Sequence, residues 1–551
     1  MKYFFSTFHA CKHYCLALLL FLAVSSVLYL RTVHSHFLFD WNSDRIRYME
    51  YGWQGMKNCY HDKSMRWVTH LHNILIYEVM GMSPHGWHYY MLFLHSLNAT
   101  LLFALLLYIL KKLNISGAFR MAALAAVLWL VSPFHTETIV WAACTLHLII
   151  LTFVLTGLNL FVRYLVKPSR LHIAGIYAMF FLAMFTYENF IPFPFLLFVL
   201  FLLFRQSQLT SVTWKKYLTV YFVPMLLFTG LYFVANKFRI GQWVGRYGEA
   251  AHFNTDVFLI VPNLTKYLTK LLYVHLFFTY SVRDTFYEIL HSPWAVYSAL
   301  TLYVVLFSTL FYVFLKTNCR QTRLAIALFA MFCMAMIPII NLYLSYNKDI
   351  DGERYLYFPS GYFYGSLVLL SFQLRKGLRY GVILACLLCS VAFTWRNNTY
   401  WYHSGQYANS LLQDFRWPNA ERVYVLLSPE NYNGAVCMRN MPHSTLFEML
   451  YVQRGIDLRH RIIEAYQWNP TSPYDSATHS VIDSNTLSLK VHTKGGWLWY
   501  QTFGAVDTSN EHFTAKMDRW YPWYTIRFHQ KKPGDVIIYA NNKRWVQIED
   551  F

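Results

Sequence analysis

Residues 88–112 read HYYMLFLHSLNATLLFALLLYILKK, a long apolar run closed by Lys111 and Lys112. A membrane helix needs roughly 20 predominantly apolar residues, and this stretch supplies them before its charge arrives. The pattern recurs along the chain. Every second apolar segment ends in a basic cluster: Arg163/Lys167/Arg170, Arg205/Lys215/Lys216, Lys316/Arg320/Arg323 and Arg375/Lys376/Arg379. The intervening turns hold Asp40, Asp44, Glu137, Glu188 and Glu353. Loops rich in Lys and Arg stay in the cytoplasm during insertion. The alternation therefore predicts a polytopic topology with the N-terminus inside and the acids on the far face.

Composition agrees. Of 551 residues, 56% are hydrophobic, 19% aromatic and 14% charged; a soluble chain would carry nearer 25% charged residues. The formal net charge is +19, but the cations flank apolar segments, where they set orientation and meet anionic headgroups. No nucleic-acid-binding motif is present, so nucleic acid is excluded as a partner. Apolar segments lie at 14–32, 88–110, 119–135, 138–162, 171–187, 190–204, 217–235, 293–315, 324–343, 357–373 and 380–396, which predicts about eleven spans. The first is followed by His34-Ser35-His36 rather than by a small-residue cleavage site, and reads as a retained anchor. The stretch 236–292 has apolar runs interrupted by Lys266 and Lys270, and parity keeps both its ends outside. It reads as an amphipathic helix in the outer interface.

The chain divides at about residue 396. From 397 to 551 apolar runs shorten and Asn, Asp, Ser, Pro and Gly become frequent. Alternation at 488–492 and 524–528 predicts strands, and 535–548 predicts a hairpin turning at Asn541-Asn542-Lys543. Val423–Ala435 reads as a strand followed by a turn. The expected architecture is a polytopic α-helical membrane domain, 1–396, with an extracytoplasmic α/β domain, 397–551. Nine cysteines show no paired spacing. Cys144, Cys333, Cys386 and Cys389 read as small core residues, whereas Cys59 and Cys437 fall on the outer side, where a bridge is permitted.

Candidate chemistry lies in the outer turns. Asp40 and Asp44 follow the first span. A carboxylate there suits a general base toward an acceptor hydroxyl or a ligand of a divalent metal ion; the bland alternative is a solvated acid. Arg66 stands in Arg66-Trp67-Val68-Thr69, before Gly81-Met82-Ser83-Pro84-His85-Gly86-Trp87-His88. The spacing of His85, His88 and His95 matches no zinc signature, and packed histidines are the expectation. The second outer turn holds His135-Thr136-Glu137, the third Glu188, and the last Glu353-Arg354-Tyr355-Leu356-Tyr357-Phe358-Pro359-Ser360. Arg354, Arg239 and Arg246 are candidates to hold a lipid phosphate by bidentate contact, against the plainer role of snorkelling to headgroups.

Together these blocks resemble the multi-span glycosyltransferases of the C superfamily (GT-C), in particular the membrane part of the tetratricopeptide-containing transmembrane O-mannosyltransferases. The likeness rests on the first-loop Asp, Arg-x-x-Thr, Gly-x-x-Pro-x-Gly-x-His, the turn His-Thr-Glu and Glu-Arg-x-x-Tyr-x-Pro-Ser, in order, across about residues 15–395. It implies an inverting transfer of a sugar from a polyprenyl-phosphate carrier to a protein, lipid or polysaccharide acceptor on the periplasmic or luminal face. Asp40 would be the base, Glu137 and Glu188 would match later outer acids, and Arg354 would contact the carrier phosphate. Three features depart from the family: Trp41 follows Asp40, Cys144-Thr145-Leu146-His147 replaces Gly-Arg-x-Asp, and no tetratricopeptide repeat follows. The last points to a bacterial inner-membrane relative. Rival readings are a lipid or glycan transporter, which would place ionisable groups at mid-membrane and show matched halves, and a non-catalytic envelope scaffold.

Overall fold

The computed structural model describes residues 2–35, 65–81, 83–243, 255–277, 280–340, 352–417, 420–438, 461–493, 496–499, 506–518, 523–549 and 551. The chain is an integral membrane protein built as a helical bundle with a β-sheet domain at its C-terminal end. Each expected apolar segment coincides with a helix. Among the described residues seven helices are long and apolar enough to cross a membrane. An eighth span is bent by 53° where Ala118–Leu130 gives way to Pro133–Val140. Lys12–Leu28 and Arg170–Met184 are shorter apolar helices, and Ser360–Ser371 is shorter still but buried on almost every side. Gly365 lets that helix approach closely: a Cβ there would lie 3.0 Å from Leu328, the usual use of small residues between membrane helices. Pro293–Lys316 is the opposite case. Only 6% of its most apolar window is buried in the protein, so Leu302, Val304, Val305 and Phe311 present bare hydrocarbon of the kind that only lipid accommodates.

The two ends of the bundle differ in charge, as the alternation predicts. At one end lie the basic clusters, and there arginines close helix C-termini. Arg320 donates to Leu113 O at 3.1 Å, Arg323 to the carbonyls of Phe314, Gln206 and Thr317, and Arg379 to Phe372 O at 2.9 Å. Terminal carbonyls lack intrahelical donors and carry the negative end of the helix dipole. The turns that carry Glu137, Glu188 and Glu353 gather at the other end.

Between 236 and 292 the described residues form a helix at Val257–Leu271 and another at Tyr280–Leu290, neither of them among the spans. The boundary expected after residue 396 falls inside the last helix, Lys376–Asp414. This helix leaves the bundle and runs on under the sheet domain. In that domain Val423–Pro429 is the central strand of a five-stranded sheet, parallel to both Val536–Asn541 and Ile462–Asn469. Both faces are covered, which explains its unbroken apolar run. Val423 and Val425 belong to one buried cluster with Leu411 and Phe415 that extends to Val140 and Trp141 of the bundle, while Tyr424 and Leu426 belong to the core shared with a second, antiparallel sheet. The expected strands at 488–492 and 524–528 pair with each other in that second sheet. The expected hairpin is present, with Asn542 and Lys543 both at positive φ, as a type I′ turn requires. Cys59 lies outside the described residues. Cys437 is buried as a thiol donating to Ser404 O at 3.5 Å, and burial pushes its pKa up to about 12.

Candidate functional site

The site begins where Ser132-Pro133 breaks a helix. Pro133 cannot donate to the turn before it, so the chain bends and restarts at Thr136–Val140, with His135, Thr136 and Glu137 fully buried. Glu137 accepts from the backbone N–H of Arg354 at 2.7 Å and that of Gly352 at 3.4 Å, and it forms an ion pair with the Arg354 guanidinium. Gly352 sits at φ 82, a conformation that glycine adopts without a Cβ penalty. His135 Nε2 lies 2.9 Å from Ser360 Oγ, and Trp129 Nε1 donates to Tyr357 O at 3.3 Å. Two blocks more than 200 residues apart, His135–Glu137 and Glu353–Ser360, are thus one structural unit. Glu353, fully buried, lies in the same unit.

A second unit flanks it. Arg66 grips Glu188 through Nε at 3.2 Å and Nη2 at 2.7 Å, with both groups largely buried. Its partner turn is built by the residues that follow Arg66. Trp67 stacks on Phe185 with centroids 5.2 Å apart, Val68 N donates to Phe185 O at 2.9 Å, and Thr69 Oγ1 donates to Thr186 O at 2.7 Å. Arg239 lies over the Trp67 ring at 5.2 Å, which sets it against the same unit.

His147 joins the two. Its ring meets Tyr187 at 5.0 Å and Tyr355 at 5.8 Å, edge to face. Arg66 lies over Tyr187 at 4.6 Å, and Arg354 over Tyr355 at 4.8 Å. The result is a row, Arg66–Tyr187–His147–Tyr355–Arg354, with a carboxylate closing each end. His147 is 3% exposed, and among the described residues its Nδ1 has no hydrogen-bond partner. In the sequence this histidine registered only as a departure from a family pattern. Tyr187 and Tyr355 carried no signal beyond adjacency to charged neighbours, since aromatics are common throughout the chain.

Asp40, Asp44 and Arg246 lie outside the described residues. The histidines are engaged in packing. His95 Nε2 is 2.9 Å from the Leu130 carbonyl, which can only accept, so Nε2 carries the proton and Nδ1 accepts from Tyr357 OH at 3.0 Å. His85 Nδ1 is 2.6 Å from Val33 O. Among the described residues no three His, Cys, Asp or Glu side chains converge as a metal site. The Gly81–His88 block is a helix start. Ser83 caps Pro84–Lys112 by accepting from Gly86 N at 3.3 Å, and Trp87 Nε1 donates back to Gly81 O at 3.2 Å.

No family model matches the chain, and no curated protein does. Among solved structures, ArnT from Cupriavidus metallidurans bound to undecaprenyl phosphate overlaps with a TM-score of 0.37 at 14% identity, covering 82% of this chain and 92% of that one. The apo state of ArnT from the same organism gives 0.33 at 13% identity over the same shares. At these TM-scores the likeness does not establish a shared fold.

Proposed function

We propose that this protein is a GT-C-type glycosyltransferase, mannosyltransferase-like, which moves a sugar from a polyprenyl-phosphate donor to an acceptor hydroxyl at the acidic end of the bundle. The observation that carries the reading is the docking of His135–Glu137 onto Glu353–Ser360 through Glu137 and Arg354. Two blocks of the family resemblance, remote in sequence, form one unit at the end where an exported substrate would meet the enzyme.

In this reading Asp40 takes the proton of the acceptor hydroxyl. The acceptor oxygen attacks the anomeric carbon, the bond from that carbon to the phosphate oxygen breaks, and its electron pair leaves with the polyprenyl phosphate. The configuration inverts. A phosphate leaving group needs charge compensation more than protonation, which Arg354 supplies, with Arg239 and Arg246 as further cations. Glu137 is a positioning residue rather than a second base, because a guanidinium and two backbone amides already occupy its oxygens. Asp44 lies close enough in sequence to Asp40 to share its work or to complete a divalent-metal site. The acidic end and the sheet domain face the periplasm of a bacterial inner membrane, following the positive-inside rule.

The test is sugar transfer from radiolabelled polyprenyl-phosphate sugars by purified wild type and by Asp40→Asn, with membrane extract as acceptor. Transfer by wild type alone supports the class and the base, and the labelled product identifies the acceptor. Undiminished transfer by Asp40→Asn removes Asp40 as base. No turnover of any donor by folded protein removes the enzyme reading.

A further inference from the structure

The helix Trp67–Met80 wears an apolar stripe on its outer side. Trp67, Leu71, Leu75 and Val79 recur at every fourth residue, which aligns them along one side of a helix. Each is between 47% and 73% exposed. No carboxylate or ammonium group interrupts the stripe before Glu78 in the last turn. Polar side chains turn toward the protein instead. Thr69 is buried and donates to Thr186 O at 2.7 Å, and His72 stacks on Tyr90 with its Nε2 2.5 Å from the tyrosine hydroxyl. A helix washed by water shows the reverse arrangement, with its apolar stripe against the core.

Both ends of the helix are tied to the mouths of membrane spans. At its start Val68 N and Thr69 Oγ1 donate to the carbonyls of Phe185 and Thr186, in the turn that opens the span Glu188–Gln206. Arg239, from the last turn of the span Trp214–Ile240, lies over the Trp67 ring. At its finish the chain passes Gly81 and Ser83 into the span Pro84–Lys112, where His85 Nδ1 lies 2.6 Å from Val33 O at the close of the first helical segment. The helix of 14 residues is about 21 Å long at 1.5 Å per residue, short of the roughly 30 Å hydrocarbon core. Held at both ends at the level where spans emerge, it lies along the membrane surface. Near these junctions the spans themselves expose Leu231 and Phe238 on one side, Tyr89 and Phe93 on the other. The stripe therefore stands between two stretches of span surface that meet hydrocarbon.

We propose that Trp67–Met80 is an in-plane membrane helix, seated with Trp67, Leu71, Leu75 and Val79 among the acyl chains of the leaflet at the Glu188 end of the bundle. Its partner is the bilayer itself, which accepts a helix of this kind at the boundary between headgroups and acyl chains, and tryptophan favours that level. The seat fixes the depth of Arg66, the residue at which the helix begins, and so of its ion pair with Glu188. The first outer loop is thus in part a membrane-bound element. This assignment does not rest on the glycosyl-transfer reading.

The experiment places the photocrosslinker p-benzoylphenylalanine in place of Leu71 or Leu75 in the full-length protein, in nanodiscs of phosphatidylglycerol, and identifies the adducts by mass spectrometry. The reference position is Gln413, exposed near the far end of the helix Lys376–Asp414. Lipid adducts from positions 71 and 75 are expected at no less than tenfold the yield from position 413. Yields no higher than at 413 would show a stripe facing water and overturn the proposal. Adducts to residues 36–64 of the same chain, or to a second copy, in place of lipid would show a stripe covered by protein and overturn it as well. Should the substituted proteins fail to fold, hydroxyl-radical footprinting of wild type in the same nanodiscs decides. Trp67 is more exposed in the protein than Trp417, which lies beyond the last helix, yet it is expected to oxidise at least tenfold more slowly because lipid shields it. Equal or faster oxidation of Trp67 overturns the proposal. Neither readout requires turnover, so lipid adducts from a protein that transfers no sugar would keep the membrane seat and end the transferase reading.

Discussion

Arginines stand at both ends of the helical bundle, and the company they keep differs. At the basic end Arg320, Arg323 and Arg379 meet backbone carbonyls at helix C-termini. Each bond satisfies an orphan acceptor that any helix end possesses, so the partner is a generic feature of the backbone. At the acidic end Arg66 and Arg354 meet the side chains of Glu188 and Glu137, which the sequence had to supply at matching places. The first kind of contact tidies a helix end. The second welds separate loops into one arrangement, with Tyr187, His147 and Tyr355 packed between. Contacts that any helix end can make and contacts that need matched side chains thus lie at opposite ends of the bundle.

The contrast is open to direct attack. Glu137→Ala should be the most damaging change. It leaves a largely buried guanidinium and two amides without their acceptor, at a cost of roughly 3–5 kcal/mol for breaking a buried pair. Thermal unfolding in detergent should register that loss, and sugar transfer should fall by about 100-fold or more. An active Glu137→Ala protein would show that the weld is dispensable. Arg66→Lys comes next. It keeps the charge but loses the fork on Glu188 and the guanidinium face on Tyr187, and transfer should fall about tenfold. A double-mutant cycle with Glu188→Gln should reveal a coupling of about 1–2 kcal/mol; simple additivity would deny the pair any joint role. His147→Phe is sharper still, because it retains a ring between the tyrosines and removes Nδ1. Transfer should drop several-fold with Tm nearly unchanged, and His147→Asn should recover part of the loss. At the basic end Arg320→Ala should cost about 1 kcal/mol, the usual worth of such a hydrogen bond, and leave transfer untouched. A comparable activity loss there would collapse the distinction between the ends.

Much of this is legible in the sequence alone. Each apolar segment marks a helix because hydrocarbon admits little else. The outer-turn blocks stood out by composition, but their pairing did not, since nothing in the one-dimensional chain says that Glu137 will find Arg354. In the sequence His147 is only a departure from the family pattern, because nothing in the linear chain places it between Tyr187 and Tyr355. Lys266 and Lys270 were visible as breaks in a pattern; periodicity assigns residues to a stripe but cannot say which way the stripe faces. The boundary expected after residue 396 records the end of apolarity. It misses the end of the helix, which continues because Asn397, Asn398 and Trp401 still find partners in the bundle and Ser404 finds one in the sheet domain.

That last helix has a mechanical consequence. At 39 residues it is a rod of about 58 Å at 1.5 Å per residue, and it runs unbroken through the exit from the bundle. Thr394 and Asn397 fasten it to the carbonyls of Val131 and Pro133, and Trp401 lies against Trp141, the ring beneath Arg354. Higher up, Leu411 and Asp414 hold Trp545 of the sheet domain. The sheet domain is therefore mounted on a stiff shaft whose bearing is the turn that carries Glu137. A load applied to the domain arrives at that turn as torque, whereas a flexible tether would have absorbed it as slack.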